Sequence, residues 1–169
     1  MSPLRDHVHR YAARCTWSGS TGAGYAAYGR QHEGTVEPVP GSLTLSADPS
    51  FRGDPAFMNP EQLLVLSAAS CQLLSFLALA ARAGIDVIAY EDRAAAEMPD
   101  HDRPVRITRI TLHPRITLAS DAGPDAIESA ITLVARAHDE CYVANSLTTT
   151  ITVEPEIFVG SANADSSPA

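Results

Sequence analysis

Two cysteines stand seventy positions apart, Cys71 in an apolar stretch and Cys141 at the end of an amphipathic one, and a third, Cys15, lies near the start. Three cysteines do not make a disulfide framework. The plainest reading of Cys71 and Cys141 is as buried small hydrophobes. A zinc site is a second reading, because His138-x-x-Cys141 places two ligand types one helical turn apart. No second short-spaced pair completes it. A redox pair is the third: one thiolate attacks a peroxide oxygen and becomes a sulfenic acid, and a nearby thiol closes a disulfide. The attacking thiol then needs a positive partner. Arg52 and Arg30 are the cations available near the first helix, and Glu61 is the carboxylate that can orient a guanidinium by a bidentate pair. His138 reads as a residue of the helix surface that can favour the Cys141 thiolate, and Cys15 as a buried strand cysteine.

The element that carries Cys71 runs from Asn59 to Gly84. Asn59 is an N-cap, Pro60 fits the first helical position, Glu61 faces the positive end of the dipole, and Gly84 is a left-handed cap. No charge interrupts the run between Glu61 and Arg82, so a membrane span has to be weighed. Ser67, Ser70, Gln72 and Ser75 break the apolar run, alanine makes up much of the rest, and no basic cluster flanks it. The sequence therefore points to a helix buried in a soluble protein. A chain of 169 residues can hardly cover such a helix on every side, which suggests a homodimer with a shared core. Glu61 and Cys71 are separated by roughly 15 Å of helical rise. They meet only if two copies of the helix cross antiparallel, Glu61 of one near Cys71 of the other.

The remaining chain reads as strands with one more helix. Residues 7–17, 25–31 and 42–46 are expected strands, the first two forming a hairpin. Residues 87–98 and 105–118 form a long antiparallel hairpin, with a bulge at Thr108-Arg109 and an edge or bulge at Pro114. Gly123-Pro124-Asp125 opens a second helix to about Glu140, apolar at Ile127, Ala130, Ile131, Val134 and Ala137. A final strand covers 148–159. This is an α+β pattern, not a Rossmann one. One domain over 1–159 and a disordered tail over 160–169 are expected.

A net charge of −8 disfavours nucleic acid and anionic membrane surfaces as partners. Met1 to Arg10 has no apolar signal-peptide core, which makes the cytoplasm the default location.

Asn59-Pro60-Glu61-Gln62-Leu63-Leu64, then Ala68-Ala69-Ser70-Cys71, then Ala137 through Cys141 to Asn145-Ser146-Leu147, resembles the OsmC/Ohr family of thiol peroxidases. The resemblance spans about Cys15 to Val159. It implies an intertwined homodimer, with antiparallel sheets wrapped around two long central helices, that reduces organic hydroperoxides to alcohols. It implies Cys71 as the peroxidatic nucleophile, Cys141 as the resolving cysteine that forms a disulfide with it, and Glu61 as the residue orienting the catalytic arginine. Arg52 matches one branch of the family and is preferred; Arg30 lies closer to the position used by the other. Tyr142 departs from a proline common in the family, and Cys15 has no counterpart. An external dithiol would restore both thiols, with no metal, haem or flavin. Leu63, Leu64, Leu66, Phe76 and Phe57 or Met58 would form apolar walls favouring a bulky organic peroxide over hydrogen peroxide. The alternative of a different class is a non-catalytic dimeric binding module that holds an apolar ligand in the same pocket.

Overall fold

A computed structural model describes residues 8–160. The predicted tail therefore lies, beyond Gly160, outside the described residues, as do positions 1–7. The chain divides into two compact units, residues 1–62 and 63–169.

The first unit is a small antiparallel sheet of β1 (Ala13–Thr16), β2 (His32–Val36) and β3 (Leu43–Leu45), with β2 in the centre. The second strand lies later than expected. Residues 25–31 hold turns, with Gly24 N–H donating to the Thr21 carbonyl and Ala27 N–H to that of Gly24. Gly34 in the middle of β2 erases the alternation that would have marked it. A loop returns through a 3₁₀ turn at Pro49–Phe51, capped by the Asp48 side chain. Gly53 closes this loop. A Cβ there would lie 1.6 Å from the Ala47 carbonyl oxygen, so only glycine fits.

Helix α1 (Pro60–Arg82) starts and stops on its own sequence signals. The Asn59 Oδ1 accepts from Gln62 N–H at 2.8 Å, and Gln62 Oε1 accepts from Asn59 N–H at 3.0 Å, a reciprocal capping box. At the other end Gly84 takes φ +72°. Ile85 N–H donates to the Ala80 carbonyl and Gly84 N–H to that of Ala81, which is the Schellman arrangement.

In the second unit the expected long hairpin is present but segmented. β4 (Val87–Asp92) pairs antiparallel with β7 (Pro114–Leu118), and β5 (Ala95–Glu97) with β6 (Arg109–Leu112). The break falls at His113, whose N–H donates to Asp92 Oδ1. Pro114, expected at an edge or a bulge, instead opens the central strand of its sheet, a first-strand position where its missing N–H is tolerated. The register irregularity lies between Val87 and Ala89, not at Thr108-Arg109. The last run splits at Glu154-Pro155 into β8 (Thr150–Val153) and β9 (Glu156–Val159). Both pair parallel, β8 with β6 and β9 with β7, because α2 (Pro124–Asp139) carries the chain back before they start. Two of the three sheets are thus mixed rather than wholly antiparallel.

Two cores result. Phe76, Leu79 and Ala80 of α1 pack with Ile116, Leu118 and the Ala130-Val134-Ala137 stripe of α2. Ala68 of α1 packs with Ile107, Ile110 and Leu112, joined by Val143 from the short helix α3 (Tyr142–Asn145). Ile131, expected on the buried stripe, is exposed. The stripe advances by 4 and 3 from 130 to 137, which turns 131 outward. By length and hydropathy alone α1 would suffice to cross a membrane. One side of it is committed to protein: Ala68, Gln72, Phe76, Leu79 and Ala80 are buried, while Leu66 (56% exposed) and Leu74 (64%) face outward.

Candidate active site

Cys71 and Cys141 meet in the second unit. Cys71 sits on α1 between Ala69, which joins one core, and Phe76, which belongs to the other. Cys141 sits in the break between α2 and α3, extended where the flanking residues are helical, and follows Ala137 by four positions on the buried stripe. Each cysteine therefore lies at the seam of the two cores. The Cys71 thiol lies close enough to Cys141 to act on it electrostatically.

The two thiols differ in environment. Cys141 is 2% exposed, whereas Cys71 is half-buried. Burial pushes the Cys141 thiol up to about 11, and the neighbouring Cys71 thiol acts in the same direction. The Ala144 and Val143 amides oppose this, Ala144 N–H donating to the sulfur at 3.4 Å. Cys141 is thus held as a thiol beside Cys71. Next to Cys71, Gln72 is fully buried. Its Nε2 donates to the Val134 carbonyl at 3.0 Å and ties α1 to α2, and its Oε1 has no partner among the described residues. His138 is half-buried rather than a surface residue, and its Nδ1 is likewise without a partner there. Among the described residues, no three His, Cys, Asp or Glu side chains stand together as a metal-ligand set.

The charged candidates belong to the first unit. A cavity of about 500 Å³ there is lined by Glu61, Arg30, Cys15, Trp17, Tyr28 and Phe51, among others. The Arg30 guanidinium lies 3.8 Å from the Tyr28 ring centre and 4.7 Å from that of Tyr25. It donates to the Tyr25 carbonyl at 2.5 Å and to the Tyr28 carbonyl. Arg52 takes the left-handed conformation after the 3₁₀ turn, with its guanidinium 6.0 Å from the Tyr25 ring, and it is not part of the cavity lining. The structure therefore brings Arg30, not Arg52, into one cavity with Glu61. Cys15, expected to be buried, is exposed on β1 and lines the same cavity. The expected apolar walls also change. Phe76 is fully buried in the core and Leu64 packs against the other core. The aromatic group Trp17, Tyr25 and Tyr28 around Arg30 has no periodicity. Its one signal in the sequence is the density of rings within a glycine-rich stretch.

The family model for OsmC-like proteins matches residues 53–156. The chain belongs to the OsmC-like family. Its fold is that of an OsmC-like protein of unknown function from Vibrio cholerae O1 biovar eltor, with a TM-score of 0.79 at 23% identity over 88% of this chain and 100% of that one. It is also similar to the organic hydroperoxide resistance protein OsmC of Legionella pneumophila (TM-score 0.65, 18% identity, 90% and 99% covered). An organic hydroperoxide resistance protein of Elizabethkingia anophelis shares the fold as well (TM-score 0.67, 16% identity, 92% and 99% covered). No curated protein matches the sequence.

Proposed function

We infer that the protein is a cysteine-based peroxidase that reduces organic hydroperoxides to alcohols. The observation that carries this reading is that the fold brings the Cys71 and Cys141 thiols, seventy positions apart in sequence, close enough to interact. Cys71, the more accessible of the two, is the nucleophile. Its thiolate attacks the distal oxygen of R–O–O–H and the O–O bond breaks. The leaving alkoxide takes a proton to become the alcohol, and Cys71 is left as a sulfenic acid. The Cys141 sulfur then attacks Cys71, a disulfide forms, and hydroxide leaves as water with the proton Cys141 gives up. An external dithiol reduces the disulfide by exchange, as the cytoplasm can supply.

Glu61 and an arginine complete the site by orienting the peroxide and stabilising the leaving oxygen. Arg30 is the arginine this reading uses, because it shares a cavity with Glu61 and keeps free donors after its two backbone bonds. Arg52 is the second candidate. The functional unit in this reading is a homodimer in which α1 crosses its symmetry mate antiparallel, bringing the Glu61 end of one helix to Cys71 of the other. The unbroken helix from Pro60 to Arg82 and the outward Leu66, Leu74 and Leu77 support it.

The test is to count free thiols and map disulfides by mass before and after one equivalent of cumene hydroperoxide. Loss of two thiols with a Cys71–Cys141 disulfide is expected, and Cys71→Ser abolishes turnover. Unchanged thiols would sink the catalytic reading and favour a binding module.

A further inference from the structure

We propose that the cavity of the first unit is an aryl-binding subsite, in which Trp17, Tyr28 and Phe51 select hydroperoxides that carry an aromatic ring. The inference rests on the peroxidase reading above and concerns which organic group that site accepts.

The volume, about 500 Å³, is in the range of small-molecule sites. Its aromatic walls are fixed in place. Trp17 and Tyr28 pack edge to face, centroids 6.0 Å apart at 83°. The Trp17 Nε1 donates to the Gly29 carbonyl at 2.8 Å, which satisfies the polar end of the ring. The backbone at Gly19 passes so close that a Cβ would stand 2.7 Å from the Trp17 ring. Tyr28 carries the Arg30 guanidinium on its face. Phe51 is set by the 3₁₀ turn, whose cap is the Asp48 side chain.

Rings held in this way offer edges and faces to a partner with a quadrupole of its own. A substrate ring gains about 2- to 10-fold in affinity from one such contact beyond its buried area. A linear alkyl chain has no such term and loses rotor freedom when it is confined. The polar end of the substrate is accounted for in the same cavity, because Arg30 and Glu61 line it. A neighbouring hollow of about 620 Å³ shares Trp17 and Tyr28 but is lined by neither Phe51, Arg30 nor Glu61. Phe51 therefore distinguishes the two.

Trp17 is the only tryptophan in the chain, so emission from the full-length protein reports its surroundings alone. The reduced protein is titrated with cumyl alcohol, the product of cumene hydroperoxide, which cannot oxidise a thiol, and with n-nonanol. The ratio of kcat/KM for cumene hydroperoxide to that for a linear alkyl hydroperoxide is then compared in the native protein and in Phe51→Leu. The expected result is a saturable emission change with cumyl alcohol, about 5-fold tighter than with n-nonanol. The kcat/KM ratio falls by about 2- to 10-fold in Phe51→Leu. Turnover with equal preference for both peroxides, or a ratio unmoved by Phe51→Leu, would overturn the subsite and leave the peroxidase reading intact. Saturable, Phe51-dependent binding of cumyl alcohol without turnover of any hydroperoxide would support the aryl site and overturn the peroxidase reading instead.

Discussion

Oxidation of the Cys71–Cys141 pair should make the protein measurably harder to unfold. The thiols are already interacting neighbours in the reduced protein, so closing the bond needs little movement of the cores that carry them. The unfolded chain, by contrast, acquires a loop of about 70 residues, which in the chain-entropy description removes about 15 cal/mol/K, or about 4 kcal/mol at 25 °C. Against this stands the loss of the thiol–thiol interaction and some weakening of the Ala144 N–H bond to the Cys141 sulfur, together about 1 kcal/mol. Loop closure wins, and the net is about 3 kcal/mol. For a chain of this size that raises the melting midpoint by about 6–12 °C. The assay is thermal unfolding followed by circular dichroism, comparing peroxide-treated with dithiothreitol-reduced protein. Both samples carry Cys15→Ser, so that the exposed third thiol forms no intermolecular bond. Coincident melting curves, from a sample in which mass mapping confirms the disulfide, would refute the reasoning.

Three further outcomes follow from the same geometry. Cys141 keeps its proton in the folded state up to about pH 11, whereas an ordinary thiol in the unfolded chain loses it near 9.0. Its contribution to stability is complete below pH 9 and is lost as the pH rises to about 11, so urea midpoints fall across that window by more in the native protein than in Cys141→Ala. Arg30→Met should lower kcat/KM for cumene hydroperoxide about 100-fold, the usual effect of removing one charge-stabilising donor, with Arg52→Met within about 3-fold of native. The reverse order would assign the guanidinium to Arg52. Gly53→Ala drives a Cβ into the Ala47 carbonyl, and chemical denaturation should show the first unit weakened by more than about 2 kcal/mol.

How much was legible in the sequence depended on the range of the interactions involved. Helix α1 could be read from Asn59 to Gly84 because its caps are local chemistry. The side chain of Asn59, the ring of Pro60 and the left-handed freedom of Gly84 act within a few residues of themselves. The buried stripe of α2 was legible in outline, yet Ile131 was misplaced, because which of two adjacent apolar residues faces inward is set by the neighbours they meet. The OsmC-like family was legible from the cysteine and N-P-E segments, which fall within the matched residues 53–156.

Other features were decided only by contacts between distant parts of the chain. Residues 32–36 form a central strand although Gly34 interrupts their pattern, since β1 and β3 supply hydrogen bonds on both sides. The parallel pairing of β8 and β9 depends on where α2 returns the chain. Arg30 rather than Arg52 shares a cavity with Glu61 because turns at 21–28 stack its guanidinium on Tyr28. The sequence alone determined that Cys71 and Cys141 were the residues to follow and that a helix carries the first of them. Tertiary structure decided that they become neighbours and that Cys141 is held as a thiol. The approach of two thiols seventy residues apart and the desolvation of one of them between two cores are properties of packing, which no local pattern encodes.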